Sequence, residues 1–380
     1  MATETTEPRE RSGSTGSIEP IEPADPAGSA GSDDSPGSAA PAEPAELPKK
    51  KRRVFGLVLV LLVFTFFFVV GEVAARIAGL KPWDPQVGRL ESNVQPGGTL
   101  FAPHPKLGYA QLPGRYTIKQ SKITWSTTQL SALHRTTGDT GAAGDGREAV
   151  WFFGDSFTYG VGLDDDATYT SLLQKKHPEL RIVNFANGGY STLQSLIELE
   201  ETLGAGEKPP RVAVVAYSSF HDGRNALLRG NRKAWAFYAD RYPSFPAAWL
   251  EEGKLKHGMV KLEYTPWPLE QSSALVNLIE EKSNKLQVIT SGAQRVSQAI
   301  VLRFRDVCKE HGIDFVFAGI YRDGRTASMV QWAESQGIRA LDISVDPTLA
   351  ENILPGDGHP SAKANIEFAR SLEAILPKKP

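Results

Sequence analysis

Four polar clusters in this sequence each follow directly on a short apolar run, and each holds groups able to do chemistry. Gly154-Asp155-Ser156-Phe157-Thr158-Tyr159-Gly160 follows the run 149–153, and Asn187-Gly188-Gly189-Tyr190-Ser191-Thr192 follows 181–185. Phe220-His221-Asp222-Gly223-Arg224-Asn225 follows 211–217, and Gly356-Asp357-Gly358-His359-Pro360 comes after 339–343. A serine hydroxyl is a weak nucleophile at neutral pH and needs a base to take its proton as it attacks a carbonyl. An imidazole can be that base when a carboxylate fixes its tautomer and stabilises the cation that forms. Serine, histidine and aspartate all occur in these clusters but far apart in the chain, so only folding can join them.

The elements that would position them are legible from periodicity. The β-rich runs, with a further one at 314–319, alternate with helical patterns at 168–177, 192–203, 269–282, 291–311, 326–336 and 361–375. Such alternation predicts βαβ units with right-handed crossovers. The expected fold is therefore α/β, a doubly wound five-stranded parallel sheet covered on both faces. In an open parallel sheet ligands bind beyond the carboxyl ends of the strands, which is where the four clusters stand. Residues 226–268 interrupt the pattern and are dense in aromatics and prolines, among them Trp235, Tyr242, Phe245 and Trp267. They read either as a cap shaping a substrate groove, including one for sugar rings, or as a subdomain with its own aromatic core.

The chain has 380 residues, 41% of them hydrophobic, enough for a sizeable core. Its 42 basic and 44 acidic residues nearly balance, so no global field points to nucleic acid. A single cysteine, Cys308, excludes an intramolecular disulfide framework and a cysteine-rich zinc site, and its amphipathic surroundings suit a buried structural thiol. Residues 1–48 hold ten acids and two bases among Ser, Gly, Pro and Ala, and are expected to be a disordered acidic tail. The segment 49–75 opens on Lys49-Lys50-Lys51-Arg52-Arg53 and continues into an uncharged apolar run. As a helix, residues 54–71 span about 27 Å, near the thickness of a bilayer core. The bases on its N-terminal side predict a single-pass membrane protein with a cytoplasmic N-terminus and an exported catalytic domain, periplasmic or otherwise extracytoplasmic. Arg52-Arg53 partly matches a twin-arginine leader, the basic run could pass for a nuclear signal, and Val73-Ala74-Ala75 could be a cleavage site that releases the protein. Residues 76–147, punctuated by Gly and Pro, read as a stalk and N-terminal extension with a strand-like stretch at 116–125.

The segments WFFGDSFTYGVG, IVNFANGGYSTLQS and DGHPS resemble the first, second and last sequence blocks of the SGNH (GDSL-like) serine hydrolases, over residues 148–376. With the apolar segment and His104-Pro105-Lys106-Leu107-Gly108-Tyr109, the chain is similar to a bacterial membrane-tethered group of that family. The resemblance implies Ser156 as nucleophile, His359 as its base and Asp357 as the acid. It implies an oxyanion hole from the backbone N–H groups of Ser156 and Gly189 and a side chain of the third cluster. Here the sequence departs from the family. Its acid stands two rather than three residues before the histidine, a spacing shared with some polysaccharide O-acetyltransferase relatives, and the third cluster offers His221 or Asn225 where the family has Gly-x-Asn-Asp.

The expected activity is that of an esterase acting on an ester-bearing small molecule or an acylated glycan of the cell envelope, through an acyl-serine. An O-acyltransferase with the same triad, or a catalytically silent carbohydrate-binding or scaffold protein, are the alternatives. No cofactor, metal or nucleic-acid partner is expected. Asp164-Asp165-Asp166 could suggest a cation, but adjacent carboxylates diverge and also suit a helix N-terminus.

Overall fold

The computed structural model describes residues 49–85, 92–120, 122–139, 141 and 145–377. The acidic segment 1–48 lies outside the described residues. The chain divides into two units, Met1–Leu61 and Leu62–Pro380. Helix α1 (Lys49–Ile77) carries the apolar run, and its side chains, such as Phe64 and Phe67, are exposed along most of its length. By length and composition it could cross a membrane.

Residues 92–129 form five short strands: β1 (Ser92–Gln95), β2 (Phe101–His104), β3 (Gly108–Gln111), β4 (Gly114–Gln120) and β5 (Ile123–Gln129). β1, β4 and β5 make an antiparallel sheet, and β2 pairs with β3. There follow β6 (Glu148–Phe153), α2 (Ser156–Tyr159), α3 (Tyr169–Lys176), β7 (Leu180–Asn184), α4 (Thr192–Gly204), β8 (Val212–Tyr217) and α5 (His221–Asn225). The interruption contains α6 (Arg229–Trp235) and the antiparallel hairpin of β9 (Ser244–Glu251) and β10 (Lys254–Lys261). The chain ends with α7 (Ala274–Thr290), α8 (Ala293–Glu310), β11 (Asp314–Gly319), α9 (Gly324–Ser335), β12 (Arg339–Asp342) and α10 (Ala362–Leu372).

The central sheet is parallel with order β12-β11-β8-β6-β7, registered through pairs such as Val150 with Val212 and Val215 with Phe317. Counted along the chain this is the doubly wound order 2-1-3-4-5, whose direction reverses between its first and third strands, β6 and β8. Alternate residues feed two cores. Trp151, Phe153, Ala213 and Val215 share one with α4 and α8, while Val150, Phe152, Val212 and Val214 share the other with α3 and α10. That alternation, with both sets buried, explains why these strands read as continuous apolar runs.

The helix expected from residue 269 begins instead at Ala274. Leu269 sits at φ 67°, and Ser273 caps the helix by accepting from the backbone N–H of Val276. Within the interruption, Tyr242 and Phe245 are buried and Trp235 half-buried, all packed on Tyr109 of β3 as part of the first core.

Candidate active site

Strand β6 ends at Phe153, and the turn after it delivers Ser156 to the switch point between β6 and β8. The turn is tight because Gly154 leaves room for its neighbours. A Cβ there would stand 2.5 Å from Thr158 Oγ1 and 3.3 Å from the Ala216 Cβ. Asp155 caps α2 by accepting from the Phe157 N–H at 2.9 Å, and Gly160 at φ 85° ends that helix. Ser156 keeps 8% of its surface exposed.

Asp155 is fully buried. Its carboxylate accepts from His221 Nε2 at 3.1 Å and faces Arg224 at 3.5 Å. Burial raises its pKa, but the hydrogen bond and charge of His221, with Arg224 and the Phe157 N–H, more than offset that and hold it below the ordinary value. His221 is pushed the opposite way: burial lowers its pKa and outweighs Asp155. A neutral ring must then donate Nε2–H to the carboxylate, since a carboxylate only accepts, while Nδ1 accepts from Thr192 Oγ1 at 3.1 Å.

On the side of α2 that carries Phe157, His359 donates from Nδ1 to the Asp357 carboxylate. The second carboxylate oxygen of Asp357 accepts from the Gln120 side chain at 2.6 Å. Burial raises Asp357, yet the bond and charge of His359 and the Gln120 contact hold it below the usual carboxylate value. The His359 ring lies edge-on to Phe157, the residue after Ser156, with centroids 5.7 Å apart. With Nδ1 bound, Nε2 is the nitrogen left to take a proton. The Ser156 hydroxyl does not hydrogen-bond to it in this structure, and such bonds commonly tighten only with substrate in place.

The second cluster is pressed against the nucleophile turn, with the Asn187 N–H donating to Gly154 O at 3.3 Å and Asn184 Nδ2 to Thr158 O at 3.0 Å. Gly189 has φ 82°, and a Cβ on it would lie 2.6 Å from the Tyr109 hydroxyl and 2.7 Å from Trp235. Tyr109 donates to Gly188 O and accepts at its own carbonyl from the Tyr190 hydroxyl at 2.6 Å, fixing this loop from β3. Asn187 is buried to 1% exposure, and its carboxamide makes no hydrogen bond of normal geometry among the described residues.

Asp357 and His359 thus stand beside α2, the helix that Ser156 opens, and the loop of Asn187 leans on the same turn, whereas the two side chains expected from the third cluster are bound elsewhere. Asn225 Oδ1 accepts from Leu193 N–H and its Nδ2 donates to Ser297 Oγ, both at 2.9 Å, so that side chain ties α4 to α8. His221 has both ring nitrogens engaged, as described above. The reason is burial: each polar group there has no water to turn to and is bound by neighbours on adjacent helices. Gln120 and Tyr109 lie outside the four clusters, and Asn187, inside the second, had no role from sequence.

Beside His359, the half-buried rings of Phe157, Phe220 and Tyr321 touch one another at 5.5–6.1 Å, and Arg224 lies 4.4 Å over Phe220. Asp164 and Asp165 accept from the backbone N–H groups of Ser126 and Thr128, and Asp165 also pairs with Arg135. Among the described residues there is no group of three or more His, Cys, Asp or Glu placed to hold a metal. Cys308 is buried, which pushes its thiol up to about 12.

No family model matches the sequence, and no curated protein matches it. Similar solved structures include a member of the lipolytic protein G-D-S-L family from Veillonella parvula DSM 2008, 9% identical, covering 60% of this chain and 98% of that one with a TM-score of 0.35. Another is the psychrotrophic esterase EstA from Pseudoalteromonas sp., 12% identical over 60% and 95% of the two chains, TM-score 0.34. A third is AlinE4, an SGNH-hydrolase family esterase, 15% identical over 61% and 98%, TM-score 0.31. By its own strand order this chain is a doubly wound five-stranded α/β sandwich, with Ser156 at the switch point of its sheet.

Proposed function

We propose that this chain is a membrane-anchored serine esterase of the SGNH type that cleaves carboxylic esters through an acyl-Ser156 intermediate. The observation that carries the reading is the Asp357–His359 hydrogen bond standing beside the turn of Ser156. As Ser156 Oγ bonds to the carbonyl carbon, its proton passes to His359 Nε2 and the carbonyl electrons move onto oxygen. Collapse breaks the ester C–O bond, and the same proton goes to the leaving alcohol. Water then repeats the sequence on the acyl-serine. Asp357 holds the tautomer and stabilises the imidazolium.

The oxyanion is received by the backbone N–H groups of Ser156 and Gly189, each donor of this kind being worth about 3 kcal/mol in a dry site. With His221 and Asn225 engaged elsewhere, the buried carboxamide of Asn187 supplies the third donor. Its burial against the Gly154 turn, with no well-formed hydrogen bond to satisfy the amide, supports this. Residues 54–71 anchor the protein with the basic run 49–53 in the cytoplasm and the catalytic domain outside. The substrate is an acyl ester, O-acetyl in the favoured case, on cell-envelope carbohydrate, the rings of Phe157, Phe220 and Tyr321 offering apolar faces to a sugar.

The test is Ser156→Ala in the full chain, which should abolish both p-nitrophenyl acetate turnover and labelling by a fluorophosphonate. Undiminished labelling of that variant would overturn the assignment. The Asp-x-His spacing also suits transfer to a sugar hydroxyl, and incubating an acyl donor with an oligosaccharide separates the two, since a transferase yields more acylated sugar than free acid.

A further inference from the structure

Helix α7 is amphipathic in the inverted sense. Its inward face is polar: Glu280 is fully buried and accepts from Arg229 Nε at 3.0 Å, Lys233 Nζ at 2.6 Å and Asn284 Nδ2 at 2.7 Å, while Asn277 accepts from Lys233 at 2.7 Å. Its outward face carries an apolar stripe interrupted by Lys282. Ile279, Leu286 and Ile289 expose 51%, 58% and 70% of their surface, and with Leu275 they follow the spacing of one helical stripe. A helix facing water shows the opposite pattern. The internal ion pairs fix the rotation of α7, so the apolar stripe cannot turn inward.

The position of α7 identifies what covers that stripe. Its N-terminus is fastened to the end of the apolar run of α1. Glu72 accepts from Ser273 Oγ at 2.6 Å and from the N–H groups of Ala274 and Leu275 at 3.1 and 3.0 Å. Arg76 donates to Ser272 O at 2.9 Å. Gly71 lies so close that a Cβ on it would meet Leu275 Cδ2 at 2.8 Å. The stripe therefore starts where the proposed span leaves the bilayer. Lys282 stands within the stripe and Lys285 at one edge of it, next to Glu281; all three are exposed, and the lysines can reach lipid phosphates along their aliphatic stems.

We infer that α7 lies on the membrane surface, with Ile279, Leu286 and Ile289 seated in the lipid interface, so that the catalytic domain is held against the bilayer by a second, non-spanning contact. This rests on the anchor proposed above for residues 54–71. The occupant is lipid rather than protein because the stripe begins beside the end of the span, where Leu275 meets Gly71, and carries Lys282 within it and Lys285 at its edge.

The full chain is reconstituted into vesicles of phosphatidylethanolamine and phosphatidylglycerol. Nitroxide labels are placed at Leu286→Cys and Ile289→Cys, with Phe64→Cys in the span and Ser335→Cys on the exposed end of α9 as references. Unsubstituted protein gives the background from buried Cys308. Collision with oxygen relative to a water-soluble nickel chelate should be several-fold higher at positions 286 and 289 than at 335. A ratio equal to that at 335, with position 64 reading as hydrocarbon, overturns the surface contact and leaves the anchor standing. Labels at 286 and 289 shielded from both reagents indicate a protein partner or second copy and also overturn it. An aqueous reading at position 64 removes the anchor and this inference together.

Discussion

Gln120, the last residue of β4, donates its side-chain N–H to Asp357 at 2.6 Å and is itself 3% exposed. A residue of the N-terminal extension therefore orients Asp357, the acid of the proposed triad, whose other oxygen holds His359. Replacing Gln120 with Leu should lower kcat about tenfold with little change in KM, because positioning acts on the chemical step. Asp357→Asn should cost about 10⁴-fold by leaving His359 in the wrong tautomer. Steady-state kinetics on a chromogenic ester would show it, and an unchanged kcat in the Gln120 variant would detach that residue from catalysis.

The Asp155–His221 pair makes stability depend on pH. His221 is held below its ordinary 6.5, so the unfolded chain binds a proton there before the folded one does. Stability is complete above about pH 6.5 and falls as the pH drops below it, by up to about 1.4 kcal/mol per pH unit. Asp155, held below 3.8, adds a second loss at lower pH. His221→Gln should flatten the first slope by its share, leaving that of His134 and His104, which are also lowered by burial. Urea unfolding at pH 5 and 7, compared between the two proteins, measures this, and identical slopes would count against it.

Arg135, 1% exposed, donates to the carbonyls of Tyr159, Gly160 and Leu163 and pairs with Asp165, clamping the loop that follows the nucleophile. Arg135→Met removes the donor but leaves buried carbonyls behind, and should destabilise the protein by about 3 kcal/mol or more. Denaturant titration followed by tryptophan fluorescence would register that. A loss under about 1 kcal/mol would mean that water replaces the guanidinium.

Gly189→Ala should lower kcat/KM by about 100-fold or more, since its φ of 82° disfavours a side chain and the added methyl drives against Tyr109 and Trp235, displacing an oxyanion donor. Gly188→Ala, whose Cβ would meet only Val161 Cγ2 at 3.8 Å within contact range, should change it far less. Equal effects at the two positions would argue against a special role for Gly189.

The strands of the central sheet were legible in the sequence because both faces of each are buried, leaving runs such as Val212–Tyr217 continuously apolar. The strands of the extension showed only as one strand-like stretch at 116–125, where the structure has two, β4 and β5, for a chemical reason. In β4 and β5 the inward positions include Gln120, Thr127 and Gln129 beside Tyr116, Ile118 and Trp125. Those polar residues face inward to bind Asp357 and the Tyr159 hydroxyl, which erases the hydropathy alternation that marks a strand. Likewise Ser156, His359 and Asp357 could be proposed from their place after apolar runs together with the family resemblance of their segments. Gln120 and Tyr109 could not, as glutamine and tyrosine carry no signal of which distant carboxylate or carbonyl they will meet.

Tyr109, Gln120 and Arg135 each stand upstream of the α/β sandwich, yet they grip its second loop, its acid and its nucleophile loop in turn. The domain that the sequence blocks delimit is thus smaller than the unit that could work. A fragment starting at residue 148 would keep Ser156, Asp357 and His359 but lose the hydrogen bonds that aim them. In recombination or grafting, the strands that carry Tyr109 and Gln120, and Arg135 after them, travel with the sandwich as part of one folded module and not as a replaceable spacer.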